Sequence, residues 1–225
     1  MTGPAPIRGI YFDLWNTLAF TDVSPNPIVA LASAFGLYGE PGWRGTMERA
    51  IMTRRFTGVS EAIDALAAGT GRALPGGSAR AELILAWGRA CNRNRLYPDV
   101  LPALSVLRRL PARNPLRLGI LSNTQSFDLD FMRREGLEAA VDVMCLSFEC
   151  GLLKPDPRIY LHAAGRMGLP PEQLMMLGDS MREDVQGARE SGWRAILLDR
   201  AATGAGPERI GSLAELPDLI ISSCS

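Results

Sequence analysis

Short apolar runs alternate with helix-like segments through much of the chain, and this alternation limits the possible folds more than any other feature of the sequence. Strand-like runs are IRGIYFDL at residues 7–14 and later segments at 116–123, 141–149 and 194–200, and residues 171–180 carry a short helix start followed by a strand. Around these later runs, apolar residues recur at helical spacing in residues 99–110, 127–137, 158–169 and 183–193. Strands that alternate with helices build a doubly wound parallel sheet, so we predict an α/β fold.

Residues 20–95 have a different character. Their apolar residues follow helical spacing in four segments separated by Gly and Pro, at 26–39, 45–58, 59–71 and 77–96. Ser60 with Glu61 indicates a helix start, and Gly69 with Gly71 indicates a helix end. We therefore predict an α/β core domain from residues 1–19 and 96–225, with an inserted α-helical cap domain at residues 20–95.

Polar side chains follow three of the predicted strands at their carboxyl ends. They are Asp13, Ser122 with Asn123, and Asp179. Ligands of parallel α/β sheets bind at this edge, so the three strand ends can converge on one site beneath the cap. Taken singly, the aspartates could instead cap helices, and Ser122 with Asn123 could simply form a turn.

Composition excludes several classes of function. Lys plus Arg and Asp plus Glu both number 24, which argues against a protein that mainly binds nucleic acid or an anionic membrane. The four cysteines form no CxxC pair, and a single histidine offers little for a zinc site or a Ser-His-Asp triad. MTGPAPIR runs directly into a strand pattern, so we expect no signal peptide and a cytoplasmic protein, either monomer or homodimer.

Four motifs occur in a characteristic order. They are DLWNT with Asp13, ILSNT with Ser122, GLLKPDPRIY with Lys154, and LGDSMREDVQGA with Asp179 and Asp184. In order, polarity and spacing, they resemble the motifs of the haloacid dehalogenase-like (HAD) superfamily, and the match covers nearly the whole chain. The resemblance implies a Rossmann-like core with a helical cap and hydrolase activity on a small phosphorylated molecule.

The resemblance also implies roles for these residues. Asp13 would be the nucleophile that forms an acyl intermediate, and Ser122 with Lys154 would hold the transferring group, helped by the backbone N–H of Asn123. A phosphate substrate would require Mg²⁺ to offset the repulsion between its oxygens and the carboxylates. The implied ligands are Asp13, the backbone carbonyl of Trp15, and Asp179, with Asp184 either binding the metal or holding its waters and Lys154.

The first motif departs from the family pattern at Trp15. Phosphatases of the family carry an aspartate there that protonates the leaving group and activates water, help worth about a hundredfold to ten-thousandfold. Three hypotheses follow: a Mg²⁺-dependent phosphatase that is slow or takes its acid–base group from elsewhere, a metal-independent 2-haloacid dehalogenase, or a non-catalytic binding protein. Two acidic groups facing Asp13 repel one another unless a cation is present, so Asp179 and Asp184 favour the phosphatase.

Substrate choice is expected to lie with the cap. Besides Trp15 and Asn123, the predicted substrate-binding residues are Arg54 and Arg55, cations suited to an anionic substrate. The pattern nevertheless favours the solvated face of a helix for these two arginines over contact with a substrate. Further polar and aromatic cap candidates are Trp43, Trp87, Arg93 and Arg95.

Overall fold

The computed structural model describes residues 5–110, 116–202, 206 and 208–222, and it has the predicted α/β architecture. A six-stranded sheet has the order β5-β4-β1-β6-β7-β8, and every neighbouring pair in it is parallel. Its strands are β1 (Gly9–Phe12), β4 (Arg117–Ser122), β5 (Val143–Leu146), β6 (Leu174–Gly178), β7 (Arg194–Leu198) and β8 (Arg209–Ile210).

Helices cover both faces of this sheet. They are α5 (Val100–Arg108), α6 (Asp130–Arg134), α7 (Leu137–Ala140), α8 (Ser147–Cys150), α9 (Pro157–Met167), α10 (Gly187–Glu190) and α11 (Leu216–Ser222). Side chains of β1 alternate between the faces: Ile10 and Phe12 pack in one apolar cluster with α5 and α6, and Tyr11 packs in the other with α9. The resulting three layers explain why the strands read as continuous apolar runs.

The insertion between β1 and β4 contains four helices, as predicted: α1 (Pro27–Ala34), α2 (Trp43–Ile51), α3 (Val59–Thr70) and α4 (Gly77–Cys91). They enclose a separate apolar cluster that includes Leu31, Met47, Ile63 and Trp87. A cluster of its own makes this segment a second packing unit. Gly71 ends α3 in the left-handed conformation with φ 66°.

A two-stranded antiparallel ribbon joins the cap to the core. It pairs β2 (Ala19–Thr21) with β3 (Asn94–Leu96), neither of which the sequence analysis predicted. Ala19 lies opposite Leu96, so the chain leaves and re-enters the core at one place. The domain boundaries proposed at 19/20 and 95/96 fall within this ribbon.

Several predicted elements differ in extent or type, among them the strand expected over 141–149, the helix expected over 183–193 and the helix expected over 77–96, which ends at Cys91 before β3. The strand expected over 141–149 ends at Leu146, and Ser147–Cys150 forms a helical turn that packs below the cap. The helix expected over 183–193 begins earlier, as a π-helical segment at Met181–Gln186, and continues as α10. Burial explains the first difference, because Ser147 and Phe148 are as buried as the strand before them and give no periodic signal.

Among the described residues, no helix combines the length and apolar character needed to span a membrane.

Candidate active site

Three strand ends meet at the centre of the sheet, as the sequence predicts. Strand β1 lies between β4 and β6, and Phe12 is level with Ile120 and Leu177. The backbone N–H of Asp13 donates to the Leu177 carbonyl at 2.9 Å, which continues the ladder one residue past the strand. Asp13 is therefore fixed between the ends of the two neighbouring strands, where Ser122 and Asp179 lie.

Asp13, Asp179 and Asp184 form a carboxylate cluster. One oxygen from each lies within 4.8 Å of the others. Asp184 reaches the cluster from the π-helical segment, and the Ser180 N–H donates to its Oδ2 at 2.9 Å. Gly178 makes room for it, because a Cβ at that position would collide with the Asp184 carboxylate. This set of hard oxygen donors fits Mg²⁺, and Asp13, Asp179 and Asp184 would hold the ion.

Lys154 connects two of these carboxylates. Its ammonium donates to Asp13 Oδ1 at 2.7 Å and to Asp184 Oδ1 at 2.5 Å. Burial alone would lower the pKa of Lys154, but the two carboxylates raise it above its ordinary value. Lys154 is 3% exposed, so a fully charged ammonium lies inside the protein next to the predicted nucleophile.

Asn123 positions the loop that carries Lys154. Its side-chain oxygen accepts the Lys154 backbone N–H at 2.8 Å, and its side-chain nitrogen donates to the Lys154 carbonyl at 3.0 Å. Both amide groups are thus engaged, although Asn123 also lines the cavity described below. The role this geometry supports for the Asn123 side chain is to position Lys154. The amide nitrogen carries a second N–H, so the role predicted for Asn123, substrate binding, stays a prediction.

Burial and the repulsion between carboxylates raise the pKa values of Asp13 and Asp179. Burial raises the pKa of Asp13 to about 7, Lys154 opposes this rise, and Asp184 adds to it. Burial, followed by the nearby charge of Asp184, raises the pKa of Asp179. A divalent cation would lower the pKa values of Asp13 and Asp179 again, since it favours the ionised carboxylates.

Ser122 is the last residue of β4 and is completely buried. Its hydroxyl lies 3.5 Å from the carbonyl oxygen of Asn123. Neither Ser122 nor Lys154 lines the cavity, although Lys154 contacts Asp13, which does line it. Their predicted role of holding a transferring group stays a prediction.

Trp15 lies on the cavity wall with its indole N–H already in use. The Nε1–H donates to Thr124 Oγ1 at 2.9 Å, and the ring packs against Phe131 at a centroid distance of 5.6 Å. The following residue, Asn16, has a left-handed backbone with φ 60°, and its N–H donates to the Ala19 carbonyl at 2.7 Å. This tight turn, the hydrogen bond to Thr124 and the contact with Phe131 hold Trp15 on the cavity wall.

The cap closes a cavity of about 620 Å³ over the carboxylate cluster. Core residues Asp13, Trp15, Asp179 and Asp184 line it from below. The cap contributes aromatic and charged side chains from three of its elements, namely Phe20, Trp43, Arg44, Glu48 and Trp87. A cavity of this volume is the size of a small-molecule site.

Arg54 and Arg55 lie outside the cavity. Arg55 pairs with Glu149 at 2.9 Å and covers the Phe148 ring, while Arg54 stacks on Phe56 at 4.6 Å. Both arginines are exposed, because the loop after α2 turns them toward the outer surface. The cap cation that does line the cavity is Arg44, so this geometry lends no support to the substrate-binding role predicted for Arg54 and Arg55.

Sequence reasoning missed Arg44, Glu48 and Asp128 in this cavity. Arg44 and Glu48 are one helical turn apart on α2, whereas Met47 and Ile51 of the same helix enter the cap core. The sequence shows that α2 has a polar side, but docking of the cap decides whether that side meets the core or solvent. Asp128 sits in a loop with φ 76°, and its sequence neighbours give no signal for this conformation.

Comparison with known proteins agrees with this geometry. Residues 7–192 match the family of haloacid dehalogenase-like hydrolases. The chain is 34% identical over 141 residues to the phosphoserine phosphatase of Thermus thermophilus, a match that covers 60% of this chain and 55% of that protein. The chain spans about half the length of the curated relatives it matches.

Solved structures share the whole fold at low sequence identity. A HAD phosphatase from Thermococcus onnurineus superposes with a TM-score of 0.61 at 22% identity. The match covers 95% of this chain and 98% of the phosphatase chain. The L-2-haloacid dehalogenase from Xanthobacter autotrophicus has a TM-score of 0.62 at 20% identity, covering 96% of this chain and 98% of its own. Such distant likenesses establish the fold, and they include two different chemistries.

Proposed function

The chain belongs to the haloacid dehalogenase-like hydrolases, and on that basis we propose that it is a Mg²⁺-dependent phosphatase of a small phosphorylated metabolite. The observation that carries this proposal is the cluster of Asp13, Asp179 and Asp184 in a cavity of about 620 Å³ between cap and core. Three carboxylates so close together repel one another, and a divalent cation is the simplest group that stabilises them. The sequence relative that acts on phosphoserine supports the same substrate class.

The side chains around Asp13 suit a covalent phosphatase mechanism. An oxygen of Asp13 attacks the phosphorus, the bond to the leaving alcohol breaks, and an aspartyl-phosphate remains on Asp13. Water then displaces Asp13 and releases inorganic phosphate. The Lys154 ammonium, held at 2.7 Å from Asp13, would stabilise the negative charge of the transferring group, and Ser122 would donate a hydrogen bond to it.

Mg²⁺ held by Asp13, the Trp15 carbonyl and Asp179 would neutralise phosphate oxygens next to these carboxylates. Asp184 has both oxygens engaged, one by Lys154 and the other by the Ser180 N–H. Its role in this arrangement is therefore to hold Lys154 and the waters of the ion, with direct ligation as the alternative.

Trp15 keeps a second candidate function open. Its apolar face would suit a 2-haloacid dehalogenase, since a halide leaves without a proton. Asp179 and Asp184 disfavour this chemistry, because a metal-free reaction gains nothing from two further carboxylates beside Asp13. A non-catalytic protein that binds a phosphorylated ligand in the cavity is the third alternative.

The test is turnover by the purified protein. We expect release of phosphate from p-nitrophenyl phosphate, phosphoserine or glyceraldehyde 3-phosphate with Mg²⁺, and loss of that activity in EDTA. Asp13→Asn abolishes it, whereas Asp130→Asn, which changes an exposed aspartate on α6, leaves it unchanged. Activity that persists in EDTA contradicts the metal proposal, and chloride release from 2-chloropropionate without metal supports the dehalogenase instead.

A further inference from the structure

The first motif leaves the proposed reaction without a proton carrier. Trp15 cannot supply one, since an indole N–H is not a useful acid and this one already donates to Thr124. In two successive in-line displacements, the leaving group and the attacking water occupy the same position, opposite Asp13. A single acid–base group on the cap side of the cavity could therefore serve both steps.

Glu48 lies on that side. It belongs to α2, where Met47 and Ile51 are buried in the cap core while Arg44 and Glu48 line the cavity. Asp13 lines the same cavity from the core. Glu48 and Asp13 thus line one cavity, the first from its cap side and the second from its core side.

The surroundings of Glu48 suit proton transfer. Within the described part of the chain, no hydrogen bond or ion pair engages its carboxylate. Burial first, and then the charge of Glu183, raise its pKa to about 7, whereas Arg44 on its own helix and Lys154 with Arg182 of the core act in the opposite direction. An acid with this pKa gives up and regains a proton near neutral pH.

The other acids of the cavity are less suited. The carboxylate of Asp128 is already engaged, because it accepts a hydrogen bond from the Trp87 indole. Besides burial, the charged residue that raises its pKa is Asp130, and neither Lys154 nor an acid of the carboxylate cluster is among the causes. Glu183 precedes Asp184 in the π-helical segment and lies on the core side of the cavity. Glu48 is the cavity acid that combines a cap position with an unengaged carboxylate.

We propose that Glu48 is the general acid and base of this enzyme, in place of the aspartate that Trp15 replaces; the inference rests on the proposed phosphatase function. As Asp13 attacks phosphorus and the bond to the leaving oxygen breaks, Glu48 gives its proton to that oxygen and an alcohol departs. The Glu48 carboxylate then takes a proton from water, whose oxygen displaces Asp13 from phosphorus. Inorganic phosphate leaves, and Glu48 is again protonated.

The experiment compares Glu48→Gln with wild type on two aryl phosphates in saturating Mg²⁺. We expect kcat to fall about a hundredfold with phenyl phosphate, whose leaving group needs a proton, and less with p-nitrophenyl phosphate, whose leaving group does not. The phosphorylated form of Asp13, detected by mass spectrometry after acid quench, accumulates with p-nitrophenyl phosphate. The limb of the wild-type pH–rate profile near pH 7 disappears in the variant.

Matched variants separate this role from a structural one. Glu82→Gln removes an exposed carboxylate from α4 and leaves kcat unchanged. Trp15→Asp placed in the Glu48→Gln protein restores kcat at least tenfold, because it returns an acid to the usual position. A Glu48→Gln protein within twofold of wild type on both probes overturns the role of Glu48 alone. A wild-type protein inert on both probes with Mg²⁺ overturns the phosphatase function and Glu48's role with it.

Discussion

Two contacts hold Trp15 in place, the hydrogen bond from its indole N–H to Thr124 and the packing of its ring on Phe131. The ring therefore has a structural role in the core as well as a place on the cavity wall. Lys154 contacts Asp13, and Asp13 lies in the carboxylate cluster, which is the arrangement on which the proposed metal-dependent reaction depends. At the residue scale, the first motif lacks its usual proton carrier, and Glu48 of the cap is the residue that we propose in its place.

Trp15→Asp tests this view of position 15. In the Glu48→Gln protein, the substitution returns a general acid and base to the site, so we expect phosphatase kcat to rise about tenfold or more. It also removes the hydrogen bond to Thr124 and much of the packing on Phe131. We therefore expect the free energy of unfolding to fall by about 2–4 kcal/mol, measured by urea denaturation.

Trp15→Asn is the control for this prediction. It creates a similar cavity and is close in size to Asp, but it cannot exchange a proton at neutral pH. We expect the same loss of stability and no rise in kcat. A rise of equal size in both variants would show that opening of the cavity, and not proton transfer, limits the rate.

At the scale of elements, the cap docks on the core through defined polar contacts. Ser147 Oγ donates to the Met52 carbonyl at 2.7 Å, and Ser126 Oγ accepts the Phe56 N–H at 2.7 Å. On the other side of the cavity, the Trp87 indole of α4 donates to Asp128 of the core. These contacts hold the cap against the core above the carboxylate cluster.

Trp87→Phe removes the donor to Asp128 and leaves that partly buried carboxylate with one hydrogen bond fewer. We expect the free energy of unfolding to fall by about 1–3 kcal/mol in urea denaturation, and proteolytic cleavage between cap and core to become faster. Trp43→Phe is the matched control, since Trp43 packs on Tyr38 within the cap. Equal effects of the two substitutions would contradict a specific role for the Trp87–Asp128 contact.

Elements could be predicted from the sequence where one periodicity dominates. The strands ending at Ser122 and Gly178 and the helix ending before Gly168 follow apolar patterns with clear end signals. The ribbon of β2 and β3 could not be predicted, because three residues on each side are too short for a pattern. The strand expected over 141–149 was too long, since buried residues continue from it into α8.

At the scale of the whole molecule, topology explains why part of the site was predictable. Strand ends of a parallel sheet must meet at one edge, so Asp13, Ser122 and Asp179 could be brought together from the sequence. The docking of a separately packed cap follows no such rule. Glu48 and Arg44 reach the site only because the cap docks in this way. The same docking leaves Arg54 and Arg55 on the outer surface.

Because the pKa of Glu48 is raised in the folded protein, the free energy of unfolding should depend on pH. The carboxyl titrates at about 7 in the folded protein and near its model-compound value of 4.5 when unfolded. Folding therefore binds a proton between these pH values, and wild-type stability falls as pH rises from 4.5 to 7. Glu48→Gln removes this pH-dependent loss. The free energy of unfolding of the variant, minus that of the wild type, should therefore increase by about 1–3 kcal/mol as pH rises from 4.5 to 7.

Urea denaturation of both metal-free proteins from pH 4.5 to pH 8 measures this difference. Titration of Asp13 and Asp179 occurs in both proteins and largely cancels in the comparison. A difference that is constant with pH would mean that Glu48 ionises normally. A wild type that gains stability relative to the variant as pH rises would mean that its pKa is lowered.

The central claim is a divalent metal centre built on Asp13, and anomalous diffraction from crystals grown in millimolar Mn²⁺ tests it most directly. We predict an anomalous peak between Asp13 and Asp179, about 2.1 Å from an oxygen of each carboxylate, that is absent from Asp179→Asn crystals. The Lys154 ammonium should remain beside Asp13 and Asp184. Crystals of the wild-type protein that show no ion at this position would contradict the account.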